Sequence, residues 1–244
     1  MLDIEDRSGV AVLRMRHGKV NALDLDLVLA ISEAVRGQDE HRALVLTGAG
    51  PAFSAGVDLR RLVEGGARYA REFLPALSEA FLAVFDHPGP VVAAVNGHAI
   101  AGGCVLAAAA DLRLMSAGTI GLAELSVGVP FPTAALEIMR HAVGPVAGRL
   151  VLAAETLDPG QAKAIGLVDH VESAGELLAA AVRRAGELAR VPAEVYALSK
   201  RQLRRPVWQR IAANQADDEQ VTDIWAAEET RAAIAAYLGS LRRG

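Results

Sequence analysis

Glu124 lies in the run Ile120-Gly121-Leu122-Ala123-Glu124-Leu125-Ser126-Val127-Gly128-Val129-Pro130, with apolar neighbours on both sides. A carboxyl group in such surroundings loses hydration, its pKa rises, and it can take and return a proton as a general base. The plainer reading of the same residue is a surface glutamate on a strand edge. Two glycine-bearing loops could work beside it. The first is Ala52-Phe53-Ser54-Ala55-Gly56-Val57-Asp58-Leu59-Arg60-Arg61, and the second Asn96-Gly97-His98-Ala99-Ile100-Ala101-Gly102-Gly103-Cys104. Each follows a strand candidate and precedes a helical pattern. Such places leave backbone N–H groups free to receive an oxyanion or phosphate. Glycine lets a ligand approach the backbone closely. Taken singly, each loop also reads as a packing turn.

Other chemistries lack their residues. There is no Gly-x-Ser-x-Gly elbow, no P-loop and no His-Glu-x-x-His, and the six histidines are scattered without ligand spacing. Gly48-Ala49-Gly50 follows a strand, but Pro51 and Phe53 stand where a dinucleotide-binding helix would begin. Cys104 is the only cysteine, which excludes an intrachain disulfide and a cysteine-based zinc site. It reads as a small buried residue rather than a nucleophile.

The chain has 244 residues, 52% of them hydrophobic and 22% charged, enough for one large domain with an appendage. A net charge of -4 provides no basic field for nucleic acid. The most apolar stretch, Pro90 to Ala110, is interrupted by Asn96, His98 and glycines, and makes a poor membrane span. The acidic start MLDIEDRSGV is unlike a signal peptide, so a cytoplasmic setting is the expectation.

Patterning supplies the elements that must hold these residues. Strands are expected at Val10–Met15, in the run from Arg42, at Val91–Val95, at Asp111–Met115 and at Leu167–Val171. Helices are expected at 24–35, 66–86, from Ala101 or Gly102, within 133–153 with a break at Gly144-Pro145, and at 174–190. This alternation implies an α/β fold with parallel pairing. Residues 193–242 are helical in composition with no strand candidate, and too thin to have their own core.

In this order and spacing, FSAGVDL, NGHAIAGGC and the Glu124 segment resemble the crotonase family, also called the enoyl-CoA hydratase/isomerase superfamily. Gly18-Lys19-Val20-Asn21-Ala22-Leu23 is similar to the family's entry segment, and Gly166-Leu167-Val168-Asp169 and the helical tail extend the match over nearly the whole chain. The resemblance implies a spiral of β-β-α units over residues 1–191 and a C-terminal helical segment, 192–244, that drives assembly into a trimer or hexamer. It implies an acyl-CoA thioester as substrate and no separate cofactor or metal. The thioester oxygen would rest between the N–H groups of Val57 and Gly102. The Ala55 carbonyl would accept from the adenine, Arg60 would stand near the CoA phosphates, and Gly56, Asp58 and Leu59 would complete the substrate-binding set.

One departure selects the reaction. Family hydratases carry a second glutamate directly after the cysteine of Gly-Gly-Cys, and here that position is Val105. A single carboxylate with an oxyanion site suits proton abstraction and return rather than addition of water. The pattern resembles that of mitochondrial-type Δ3,Δ2-enoyl-CoA isomerases, although Ala123 stands where that group tends to have asparagine. The expected activity is therefore conversion of 3-enoyl-CoA to trans-2-enoyl-CoA, in fatty-acid metabolism, through a dienolate with Glu124 as acid and base. The alternatives are a hydratase drawing its second acid from Asp58, Glu64 or Glu137, and a non-catalytic acyl-CoA-binding protein.

Plain structural roles are expected for the other conspicuous residues. Asp58 caps its loop, Glu64 and Glu137 sit on solvated helix faces, and His98 is structural. Arg204 and Arg205 sit on a solvated face. Trp208 and Trp225 pack at an interface rather than against ligand. Phe131 and Pro132 are divided between the acyl pocket and ordinary packing.

Overall fold

The computed structural model describes residues 1–241. The alternation produces two sheets. A six-stranded sheet is formed by β1 (Leu2–Arg7), β2 (Val10–Met15), β3 (Leu44–Gly48), β5 (Val91–Val95), β7 (Leu112–Met115) and β10 (His170–Val171), in that order. A four-stranded sheet is formed by β4 (Ala52–Ser54), β6 (His98–Ile100), β8 (Ile120–Gly121) and β9 (Thr156–Leu157). All pairings are parallel except β1 with β2 and β8 with β9.

The chain winds as a spiral of β-β-α units. β3 and β4 lead into α2 (Leu59–Asp86), β5 and β6 into α3 (Gly102–Ala108), and β7 and β8 into α4 (Glu124–Val127). The first strand of each unit joins the large sheet and the second joins the small one. This is the α/β spiral implied by the resemblance. Every residue of β3 and β5 is buried, as expected of parallel strands covered on both faces. Leu44, Leu46, Val91, Ala93 and Val95 face the main core with α1 (Leu25–Arg36) and α2. Val45, Val92, Ala94 and Leu114 face α8 (Leu177–Leu188). Asp24 caps α1 by accepting from the Leu27 N–H at 2.9 Å.

Short strands escaped the sequence reading: β4, β6, β8 and β9 have two or three residues each, too few for a period to show. The strand expected over Leu167–Val171 contracts to His170–Val171. The helix expected at 66–86 begins earlier, at Leu59, and bends at Gly66, whose φ is 66°.

The tail is helical as expected, with α9 (Ala193–Ala213), α10 (Gln215–Ala226) and α11 (Glu228–Leu241). Residues 242–244 of the expected segment lie outside the described residues. The tail docks on its own chain: α9 packs on α5 (Thr133–Val143), and α10 and α11 pack on α2.

Polar anchors fix this docking and overturn one expectation. Arg204 is buried, not solvated. It donates to the Asp111 carboxylate at 2.8 Å and to the Ala109 carbonyl, and its guanidinium lies 4.0 Å from the centre of the Phe85 ring. Lys200 reaches the same Asp111 and the Gly89 carbonyl. A lone basic residue on a polar helix face reads as solvated; the acid that draws it inward comes from a distant turn of the spiral. Arg205 is exposed as expected. Among the described residues, no helix is long and apolar enough to cross a membrane.

Candidate active site

The entry segment and the first loop are zipped together. Asn21 is fully buried, and its side-chain amide donates to the carbonyls of Ala49, Ala52 and Phe53. Ser54 Oγ donates back to the Asn21 carbonyl at 2.7 Å. Leu23 N–H donates to the Gly56 carbonyl, and Asp58 N–H to the Leu23 carbonyl, both at 2.8 Å. This parallel bridge uses the groups flanking Val57. Because backbone groups alternate along an extended strand, Val57's own N–H points to the opposite side. Among the described residues it donates to no acceptor.

The second loop closes against the first. Gly56 has φ +83°, and a Cβ there would come within 2.6 Å of the Ile100 carbonyl oxygen and 3.4 Å of the Gly102 nitrogen. Gly103 is pressed as closely on the Ser54 carbonyl. Two backbones can approach this far only where side chains are missing. Ala101, at the cap of α3, takes φ 52° and ψ -123°, a conformation that costs an alanine about 1–3 kcal/mol. The Gly102 N–H follows directly and donates to no acceptor among the described residues. Val57 and Gly102 therefore present unused N–H groups from neighbouring loops.

Glu124 opens α4 just after β8 and is buried. Its carboxylate accepts from the Ala123 N–H at 2.9 Å, with no cation paired to it among the described residues. Burial pushes its carboxyl up to about 7, against the smaller lowering by the backbone N–H groups of Glu124 and Ala123. The surface-glutamate reading fails here, because β8 is an internal strand of the small sheet and carries Glu124 inward.

Glu124 faces a cavity of ≈ 90 Å³ together with Ala55, Val57, Leu59, Ile100, Ala101 and Val129. The tail completes its wall with Trp225 and Tyr237. Trp225 therefore corrects the expectation of an interface residue: it is 2% exposed, and its indole N–H donates to the Pro130 carbonyl at 2.9 Å. No sequence pattern ties residue 225 to residue 124; only the return of α10 across α2 does so.

The remaining candidates fall elsewhere. Asp58 caps α2, accepting from the N–H groups of Arg60 and Arg61. Arg60 is exposed on the first turn of α2, immediately after the cavity residue Leu59. Glu64 is exposed, as expected. Glu137 is not on a solvated face: it is 1% exposed and paired with Arg140 at 2.9 Å and with Arg210. Arg210 comes from α9, so its partnership was invisible along the chain. Val105 is wholly buried in the core. Phe131 also belongs to the core, while Pro132 lines a separate groove with Trp208. His98 is exposed and bonds to Thr119. Cys104 is buried, which pushes its thiol up and leaves it an inert neutral group.

Two apposed loops with unused N–H groups border one cavity with a desolvated carboxyl on a β-β-α spiral, an arrangement chemically able to receive an oxyanion and to move a proton. The sequence matches the enoyl-CoA hydratase/isomerase family over residues 5–242. The chain belongs to that family. It is 33% identical to the crotonyl-CoA hydratase of Syntrophomonas wolfei over 76% of this chain and 74% of that one. It is 27% identical to the mitochondrial enoyl-CoA delta isomerase 1 of Rattus norvegicus over 100% of this chain and 87% of that one. The crystal structure of human mitochondrial Δ3-Δ2-enoyl-CoA isomerase superposes with a TM-score of 0.92, covering 99% of this chain and 98% of that one at 23% identity, a likeness of fold.

Proposed function

We propose that the chain isomerises 3-enoyl-CoA to trans-2-enoyl-CoA. The observation that carries this reading is the single carboxylate of the cavity. Among the described lining residues only Glu124 is an acid, and its neighbours are almost all apolar. The three acids considered as a second hydratase group are spent elsewhere: Asp58 on a helix cap, Glu64 on an exposed face and Glu137 on two arginines. Val105 occupies core, where no water could be held.

In this mechanism ionised Glu124 removes a proton from C2 of the substrate. The electron pair moves into the thioester, and the dienolate oxygen accepts from the N–H groups of Val57 and Gly102. Losing one comparable donor costs about 2.7–4 kcal/mol in other enzymes. Protonated Glu124 then returns the proton at C4. A carboxyl near pH 7 is suited to both halves of the transfer. CoA enters as part of the substrate, with Arg60 and the Ala55 carbonyl serving its phosphates and adenine. The family's trimeric or hexameric assembly belongs to the same proposal, with the exposed apolar side chains Val195, Leu198 and Leu203 of α9 available for burial.

The relationship to a crotonyl-CoA hydratase favours hydration as the second reading. A paired assay separates the two. Purified protein is given a 3-enoyl-CoA while conjugated product is followed, and trans-2-enoyl-CoA while loss of the conjugated bond is followed. Isomerisation that collapses in Glu124→Gln is the expected result. Brisk hydration without isomerisation overturns the proposal. Acyl-CoA binding with neither reaction would leave a binding protein.

A further inference from the structure

The cavity beside Glu124 is small, and its largest wall belongs to the tail. Its volume of ≈ 90 Å³ is well below the roughly 300–1,000 Å³ usual for ligand pockets. An apolar cavity of about 150 Å³ holds the six carbons of benzene, so this one has room for about four non-hydrogen atoms. Ala55 and Val57 border the same space, so those atoms include the thioester end of an acyl group. Trp225 is the largest side chain of the lining. Its indole cannot swing aside without releasing the Pro130 carbonyl, and Val221 and Ala226 on the same helix are buried with it. Val127, the last residue of α4, and Val129, two residues beyond it, also border the cavity, and Val129 N–H bonds back to the Glu124 carbonyl.

The geometry points to Trp225 as the residue that limits acyl-chain length, so that the site takes short acyl groups in preference to long ones. This inference rests on the acyl-CoA reading of the Glu124 site. A longer chain would have to displace the indole or overpack the cavity, and truncating the indole, the largest side chain of the lining, opens the most space.

The test separates chain-length preference from turnover. Glu124→Gln protein is titrated calorimetrically with butyryl-, hexanoyl-, octanoyl- and decanoyl-CoA, and with free CoA. Butyryl- or hexanoyl-CoA should bind at least about tenfold more tightly than decanoyl-CoA. Adding Trp225→Ala should shrink or invert that ratio, whereas Trp225→Phe should largely keep it. If the alanine variant fails to fold, Trp225→Leu takes its place. Decanoyl-CoA binding as tightly as butyryl-CoA overturns the inference, as does a ratio that a folded Ala or Leu variant leaves unmoved. Acyl-CoAs binding no better than free CoA would overturn the underlying reading as well, a different outcome from binding without length preference.

Discussion

Glu124 and Glu137 are both buried glutamates on neighbouring helices, and they are put to opposite uses. Glu124 meets only backbone N–H groups and apolar walls. Glu137 is more deeply buried, yet it holds Arg140 on its own helix and Arg210 from the tail. Burial without a countercharge raises proton affinity and makes a base. Burial with guanidinium partners makes ion pairs that tie α9 to α5. Depth alone does not single out Glu124 as the candidate base; the absence of a paired cation among the described residues does.

The comparison breaks first at Glu124→Gln. Isomerisation should fall by about 10²–10⁴-fold, the usual worth of a positioned acid–base group, with circular dichroism unchanged. Retention of near wild-type rate would mean that another group takes the proton.

The same substitution sharpens the comparison through stability. The folded carboxyl sits near 7, above the ordinary value of about 4.3, so the fold prefers it neutral. Its contribution is fully present below pH ~4.3 and lost as pH rises through 7. Urea melts of the Gln variant should therefore match wild type near pH 4 and exceed it by about 3 kcal/mol at pH 8. A constant difference across that range would place Glu124 in water.

The rate should follow the same titration with the opposite sense for activity. Proton abstraction needs the ionised form, so kcat/KM should climb to a plateau above an inflection near 7. At pH 5 it should be down by about 100-fold. An inflection below 5 would assign Glu124 an ordinary solvated environment.

Glu137→Gln completes the contrast with the smallest effect. It strands two arginines that are about half exposed, so the cost should be about 1–3 kcal/mol, below that of breaking a wholly buried pair. The folded variant should isomerise within about twofold of wild type. A collapse of activity at full stability would return Glu137 to the reaction.

Much of this site was legible along the chain. Asn21-Ala22-Leu23, FSAGVDL and Ala101-Gly102-Gly103 are local motifs whose hydrogen bonds and close approaches depend on residue type, and their order gave the family. Asp58 as a cap was also local, since its partners are the next helical N–H groups. The misjudged residues share one property. Arg204, Glu137 and Trp225 owe their places to contacts between the tail and the core, with Asp111, Arg210 and Pro130. Such pairings leave no periodic trace.

The sequence by itself determined the α/β alternation, the two loops and the candidate base, because glycine positions, apolar runs and a carboxyl between hydrophobes act over short stretches of chain; the spiral was implied by the family resemblance those motifs carry. Tertiary structure decided which acid is unpaired, how large the cavity is and what closes it. Those depend on where three helices beyond residue 192 come to rest, and that is set by packing and charge neutralisation summed over distant parts of the chain.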